Sequence, residues 1–307
     1  MRIIDEQTVH RLLRMDALIP AMEKALLSLS AGHAVQPLRN VLPIDAHHGF
    51  FFSMPAYASG QLGAKLVTFY PQNRGTPTHH ALIMLFRPET GEPLAVMDGR
   101  LITEMRTAAV SAVATKLLAR PEASSLAILG SGVQARSHLE AIRMVRQIDD
   151  VRVWSPHNAA AFAQEHGARA TASAEDAVRG ADVVVVATTS SRPVLSGRWL
   201  SPGTHVNAVG APRPEWRELD DEVLSRCRLY VESREAASRE SGDVIAAGNI
   251  FAEIGEVIAG THPGRQQADD ITLFKSVGVA VEDIVSAGIV YERLMDADKA
   301  PSASASS

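Results

Sequence analysis

The chain carries one cysteine, Cys227, among 307 residues. A lone thiol excludes an internal disulfide framework and suits a reducing compartment, so a cytoplasmic setting is expected. Cys227 opens Cys227-Arg-Leu-Tyr-Val231, which reads as a strand, and is expected to be a small buried hydrophobe rather than a nucleophile. No run approaches the roughly 18 apolar residues that a membrane span needs. The opening Met1-Arg-Ile-Ile-Asp5-Glu6 sets two acids where a secretory signal would begin its apolar core, so no signal peptide is expected. Thirty basic against 35 acidic residues, a formal net charge of −5, leave no cationic surplus for nucleic acid. There is no HExxH, no CxxC pair and no serine elbow. The eleven histidines show no metal spacing; His47-His48 and His79-His80 are adjacent pairs, expected to point to opposite faces of a strand. No metal is expected. Low complexity is confined to the tail, residues 300–307, expected to be disordered.

What is present is apolar patterning. With 46% hydrophobic residues the chain can bury a substantial core, and its length accommodates two domains. The richest stretch is Leu126-Ala-Ile-Leu-Gly130-Ser-Gly132-Val-Gln-Ala135, a short apolar run broken by a GxGxxA pattern. Gly130 lets a strand turn sharply, Gly132 lets a pyrophosphate approach the backbone, and Ala135 lets the next helix pack close to the sheet. The N–H groups of Ser131, Val133 and Gln134 would then face phosphates at a helix N-terminus. The pattern alone is weak, but its context fits a Rossmann-type dinucleotide site: strand before, helix over 133–145 after, and a second strand at Val151–Trp154. Further strand-like segments at 168–173, 181–187, 204–210 and 228–232 alternate with helical ones at 159–166, 174–179 and 219–226. That alternation predicts an α/β fold with a parallel sheet covered on both faces, over residues 121–278. Thr188 and Val209, at the ends of two of these strands, complete the expected cofactor contacts.

An enzyme restricted to NAD usually ends its second strand with an acid for the ribose hydroxyls. Here Trp154 is followed by Ser155, Pro156, His157 and Asn158, with no acid before Glu165. Ser155, His157 and Asn158 can donate to a 2′-phosphate, so NADPH is expected to be preferred and NADH tolerated. The plainer alternative is that Ser155 and Asn158 only shape a turn and a helix cap. The loop lacks the arginine that often clamps that phosphate, and Arg136 is a candidate substitute.

The first third differs. A second helix is expected from Asp16, as N-cap, to Ser30; strands follow at 39–44, 49–54, 61–70, 81–87 and 93–98, punctuated by turn signals that read as antiparallel hairpins. A helix over 103–118 leads into the nucleotide region, and a last helix over 279–296 is expected to return to the first domain. The division is thus 1–120 completed by 279–299, an α+β unit, and 121–278. Three cations stand in apolar surroundings: Arg39, Lys65 and Arg106. Each alone reads as a snorkelling or salt-bridged residue. Together they suggest an anionic pocket, because an unpartnered buried cation is costly and a small carboxylate would be its partner.

The chain resembles the ornithine cyclodeaminase/mu-crystallin family over nearly its whole length, most closely the mu-crystallin branch. The matching motifs are Met54-Pro-Ala-Tyr57, Lys65-Leu-Val-Thr-Phe-Tyr70, Leu94-Ala-Val-Met-Asp-Gly99, Arg106-Thr-Ala-Ala-Val-Ser111, Ile128-Leu-Gly-Ser-Gly-Val-Gln-Ala135, Asn207-Ala-Val-Gly210, Arg213-Pro-Glu-Trp-Arg-Glu-Leu-Asp-Asp221, Glu240-Ser-Gly-Asp243 and Phe274-Lys-Ser-Val-Gly278. The resemblance implies a homodimer built through the strand-rich domain and an active site between domains. It matches Arg39, Lys65 and Arg106 to residues around a substrate carboxylate, and Thr78 to a small hydroxyl residue of the site. The cyclodeaminases follow their Val-Gly segment with an acid; this chain has Val209-Gly-Ala-Pro212. The resemblance therefore implies reduction of a small cyclic ketimine carboxylate, with water or Lys65 as proton source. Ornithine cyclodeaminase, an alanine-type dehydrogenase and a non-catalytic crystallin-like binding protein stay as alternatives.

Overall fold

A computed structural model describes residues 1–299; the tail at 300–307, expected to be disordered, lies outside the described residues. The chain opens with strand β1 (Arg2–Ile4) and helices α1 (Glu6–Leu12) and α2 (Met15–Ser30). Asp5 caps α1, its carboxylate accepting from Thr8 N at 2.8 Å. In α2, Met15, Leu18, Met22 and Leu26 recur at helical spacing and are all buried. Asp16 is not the N-cap. Arg14 occupies that position without a side-chain cap, because Met15 must already be helical to reach the core, and Asp16 lies in the first turn, ion-paired to Arg14 at 3.1 Å.

Strands β2 (Asn40–Ile44), β3 (Gly49–Ala58), β4 (Gln61–Phe69), β5 (His79–Phe86) and β6 (Pro93–Asp98) form an antiparallel meander, and β1 joins its edge parallel to β6. The β3–β4 turn is Ser59-Gly60, both at positive φ (53° and 75°), as a two-residue hairpin with right-handed strand twist prefers. Register puts Met54, Lys65, Ile83 and Met97 in one row on the inner face, where all four are buried. Ser53, Leu66, Leu82 and Asp98 form the neighbouring row on the outer face, none of them fully buried. His79-His80 opens β5 with one ring on each face, as expected. His47-His48 does not lie on a strand: it closes a short 3-10 turn, with His48 in the left-handed region at φ 50°, so that pair has no opposite sheet faces to address.

Helix α3 (Arg100–Leu118) begins three residues earlier than expected and is buried along most of its length, because it lies between the two sheets. Asn207 Nδ2 donates to Thr115 Oγ1 on it at 2.9 Å. Next come β7 (Ser125–Leu129), α4 (Val133–Val145), β8 (Asp150–Trp154), α5 (Ala159–His166), β9 (Arg169–Ala170), α6 (Ala174–Val178) and β10 (Val183–Val186). They are followed by β11 (His205–Ala208), α7 (Asp221–Arg226), β12 (Cys227–Val231), α8 (Arg234–Glu240), α9 (Gly242–Ala247), β13 (Ala252–Glu253), α10 (Ile254–Ile258) and β14 (Ile271–Lys275). The second sheet is eight-stranded and parallel, ordered β13-β12-β14-β11-β10-β7-β8-β9. Its central strands are continuous apolar runs buried on both faces. All its strands run the same way, but their order reverses between β7 and β10: β8 and β9 are added on one side and β11 on the other, leaving the crevice where such folds hold ligands. The last helix, α11 (Ala280–Lys299), lies against the first sheet, with Gln61 Nε2 donating to Glu292 at 2.7 Å and Arg293 donating to Leu12 O at 2.6 Å. No helix among the described residues is long and apolar enough to cross a membrane.

Candidate functional site

The dinucleotide signature folds into an open cradle. Gly130 turns at φ 122° and donates its N–H to Trp154 O at 2.9 Å; a Cβ there would strike the carbonyl oxygen of Ala187. Gly132 is the N-cap of α4, which has no side-chain cap, and a Cβ on it would meet nothing within 4 Å. The first N–H groups of α4, with the helix dipole behind them, therefore face open space, as a pyrophosphate requires. Ala135 is fully buried against the sheet. Ser131 and Ser155 lie 2.9 Å apart, hydroxyl to hydroxyl, joining the ends of β7 and β8. A shallow hollow of about 320 Å³ includes Ser131, Gly132, Val133, Arg136 and Asn158 in its lining. Asn158 is the N-cap of α5 by position, but its side chain makes no cap bond, so the plain capping role does not account for it. His157 is exposed and lines neither this hollow nor the main cavity. Arg136 is paired with Glu104 at 2.6 Å, half exposed at the rim.

The cations converge, but they are not unpartnered. Lys65 Nζ lies 2.6 Å from Asp283 Oδ2. Arg106 donates through Nε to Asp283 Oδ1 at 3.0 Å and through Nη1 to Glu282 Oε2 at 2.6 Å. Arg39 Nη2 lies 2.7 Å from Glu240 and also donates to the carbonyls of Val277 and Gly278. The expectation that a substrate must neutralise these charges is corrected: acids of α8 and α11 already do so, because charges this deeply buried need permanent partners. Burial pushes Lys65 down to about 8, with Asp283 pulling the other way. Burial also raises Asp283, yet Arg106 and Lys65 overcome it and hold that carboxyl below its usual range. Glu282 is pushed well above its usual range by burial, only partly opposed by Arg106.

A cavity of about 310 Å³ joins the two regions. Lys65 of β4, Arg106 of α3, and Arg39 and Thr78, each in the segment just before a strand of the first sheet, line it from one side; Gln134, Thr188 and Val209 line it from the dinucleotide side. Pro212 lines it too. No aspartate or glutamate is in the lining. Beneath it, Glu218 accepts from Thr188 N at 3.0 Å and from the Thr188 hydroxyl, and Lys275 donates to Gly210 O and pairs with Asp243 at 3.1 Å. Burial lifts Glu218 to about 7 against the pull of Lys275.

Several residues of the site were not foreseen. Asp283 and Glu282 are two adjacent acids inside the apolar start of α11, the same signal that singled out the three cations. Arg213 and Trp216 also line the cavity, the guanidinium 5.6 Å from the Trp216 ring centroid and 4.0 Å from that of Phe50, and only the tertiary fold brings Phe50 there. His79 also lines the cavity, although its place in an adjacent histidine pair marks it in the sequence only as a residue without metal spacing.

Comparison with known proteins agrees with this geometry. A profile of the ornithine cyclodeaminase/mu-crystallin family matches residues 2–298. Ketimine reductase mu-crystallin of Macropus fuliginosus is 48% identical over 90% of this chain and 91% of its own. The structure of Thermococcus litoralis Δ1-pyrroline-2-carboxylate reductase, in complex with NADH and L-proline, superposes with TM-score 0.93 at 40% identity, covering 97% of this chain and 98% of that one. An archaeal alanine dehydrogenase dimer with bound NAD superposes with TM-score 0.91 at 37% identity, covering 97% of each chain. With a paired cation wall, an open dinucleotide cradle and matches that run end to end, the chain belongs to the ornithine cyclodeaminase/mu-crystallin family.

Proposed function

We propose that this chain reduces a cyclic ketimine carboxylate, 1-pyrroline-2-carboxylate or 1-piperideine-2-carboxylate, to L-proline or L-pipecolate, using NADPH in preference to NADH. The observation that carries this reading is the cavity lining: cations from one wall, dinucleotide-side residues from the other, and no acid between them. A volume of about 310 Å³ suits a single small ring. Arg39, Lys65 and Arg106 hold the carboxylate, and the arginines can do so with two parallel hydrogen bonds. Asp283, Glu282 and Glu240 hold those cations in position before any ligand arrives. Thr78 flanks the ring, while Val67, Phe69 and Trp216 keep water from it. Gly130, Ser131, Gly132, Val133 and Gln134 cradle the pyrophosphate; Thr188 and Val209 flank the nicotinamide; Ser155 and Asn158, joined by His157 if the loop folds inward on binding, read the 2′ position. A reduced nicotinamide, when bound, supplies a hydride to the imine carbon. Positioning supplies much of the rate, and a ring that arrives protonated needs no dedicated acid.

The same reading treats residues 1–120 with 279–299 as the substrate-binding and dimerisation unit and 121–278 as the dinucleotide unit. A homodimer is supported by the outer face of the first sheet, where Leu42, Phe51, Leu66, Leu82 and Met84 lie together and none is fully buried. A cytoplasmic location is supported by Cys227, a free thiol that burial pushes up to about 12. The test is an assay panel: each cyclic ketimine with NADPH or NADH, ornithine alone with proline as readout, and alanine with NAD. Nicotinamide oxidation with the ketimines and no turnover of the other two is expected. Turnover of alanine or ornithine alone overturns the reading, and cofactor binding without any turnover would make this a binding protein.

A further inference from the structure

The three cations answer the carboxylate of such a substrate and leave its ring nitrogen unaddressed. A protonated cyclic imine presents one N–H donor beside the carboxylate-bearing carbon. Leaving a buried donor without an acceptor is costly, and more so when it is charged. Arg39, Lys65, Arg106 and Arg213 line the cavity with no carboxylate to take that bond. An acid placed among them would pair with Lys65 or Arg106 rather than with the ring. The acceptor has to be neutral.

Two hydroxyls of the lining already accept as well as donate: Thr103 donates to Gly99 O and accepts from Lys65 Nζ at 3.5 Å, and Thr188 donates to Glu218 and accepts from Ser190 N at 3.0 Å. Thr78, Thr107, Thr189 and Ser276 keep lone pairs to offer, but a hydroxyl oxygen is a weaker acceptor than a neutral imidazole nitrogen. Gln134 Oε1 is buried without a partner, but it projects from the first turn of α4, on the dinucleotide side. His79 stands on the substrate wall. It opens β5 opposite Phe69, on the same inner sheet face as Lys65, and lines the cavity beside Thr78. Neither of its ring nitrogens has a hydrogen-bond partner among the described residues, although the residue is largely enclosed. Burial, reinforced by the Lys65 and Arg106 charges, pushes the imidazole down to about 4. It is therefore neutral around pH 7, with one nitrogen an acceptor of greater strength than a hydroxyl.

We infer that His79 touches the substrate, its unprotonated ring nitrogen accepting the hydrogen bond from the N–H of the protonated cyclic imine. It thereby selects rings that carry a donor next to the carboxylate-bearing carbon. This rests on the imino-acid reading of the cavity and adds its specificity element.

The test uses two planar anions of nearly equal shape on the NAD⁺-saturated protein. Pyrrole-2-carboxylate has an N–H beside the carboxylate; furan-2-carboxylate has an oxygen lone pair there. Titration calorimetry of the wild type should show pyrrole-2-carboxylate binding at least about tenfold tighter, the equivalent of one hydrogen bond. His79→Phe should bring the ratio to about one, with the furan affinity changed less than about twofold. His79→Gln, whose amide oxygen still accepts, should keep part of the preference and part of the ketimine kcat/KM lost in His79→Phe. Equal wild-type affinities, or a preference intact in His79→Phe, would overturn the inference. An equal loss on both anions would place His79 on the carboxylate and overturn it as well. If neither anion binds the wild type, the carboxylate clamp itself fails, and the proposed function with it; a missing preference with both anions bound leaves that function standing.

Discussion

The two walls of the cavity are built on opposite principles. On the substrate side, Lys65 and Arg106 are nearly inaccessible and share Asp283, whose side chain is itself fully buried. That wall is finished before a ligand arrives, and its charges are held by one another. On the dinucleotide side, α4 has an uncapped N-terminus, Gly132 faces open space, and Asn158 is exposed with no bond from its side chain. That edge presents helix N–H donors that an anion can take up. A buried charge must be paired at all times because desolvation is expensive, whereas backbone N–H groups at a helix end can be left to water. Substitutions on the first wall should therefore register in stability, and those on the second in cofactor affinity alone.

The largest effect is expected at Asp283. Asp283→Ala leaves Lys65 without its counter-ion and Arg106 with one fewer, and should destabilise the fold by about 3–5 kcal/mol in urea unfolding. A loss under about 1 kcal/mol would mean that the wall is not held by its own charges. Next come the clamp residues. Lys65→Ala and Arg39→Ala should each lower ketimine kcat/KM by about 10- to 100-fold with dinucleotide affinity nearly unchanged, from loss of a charge-assisted contact of roughly 1.5–3 kcal/mol. Wild-type kinetics in both would reduce these residues to structural ion pairs.

Gly132→Ala sharpens the contrast from the other side. Its φ of −91° is open to any residue and a Cβ meets nothing, so the melting temperature should hold while dinucleotide affinity falls by about tenfold or more. Lost stability with unchanged affinity would invert the comparison. Lys65 also gives a pH signature. It is charged below about 8 and neutral above, so affinity for furan-2-carboxylate, which does not titrate there, should weaken as pH rises through that value. Lys65→Arg should remove the dependence, and a flat wild-type profile would take Lys65 out of the clamp. The smallest effect is expected at Ser155. Ser155→Asp sets a carboxylate beside Ser131 and should raise KM for NADPH several-fold more than KM for NADH. Equal changes would show that this loop does not read the 2′ position.

Local pattern carried the dinucleotide half well. Helices at 133–145 and 159–166 have the limits that their apolar spacing and flanking turns dictate, because each is bounded by glycine or by a turn within a few residues. The strands β1, β13 and β14 were not legible. β1 and β13 are too short to show a period, and Ile271–Lys275 acquires its meaning only by inserting between β11 and β12, distant in sequence. Asp16 misled for a related reason: a good cap residue loses to a buried methionine one position earlier.

The sequence by itself determined the βα alternation, the glycine turn and the three cations, all of which depend on residues within one or two turns of each other. Tertiary structure alone decided what those cations face. Asp283 and Glu282 lie about 180 residues beyond Arg106, and Glu240 about 200 beyond Arg39. Local spacing can mark a charge as bound for the interior; only the packing of α8 and α11 against the first sheet supplies its partner, since ion pairing acts through space and carries no periodicity along the chain.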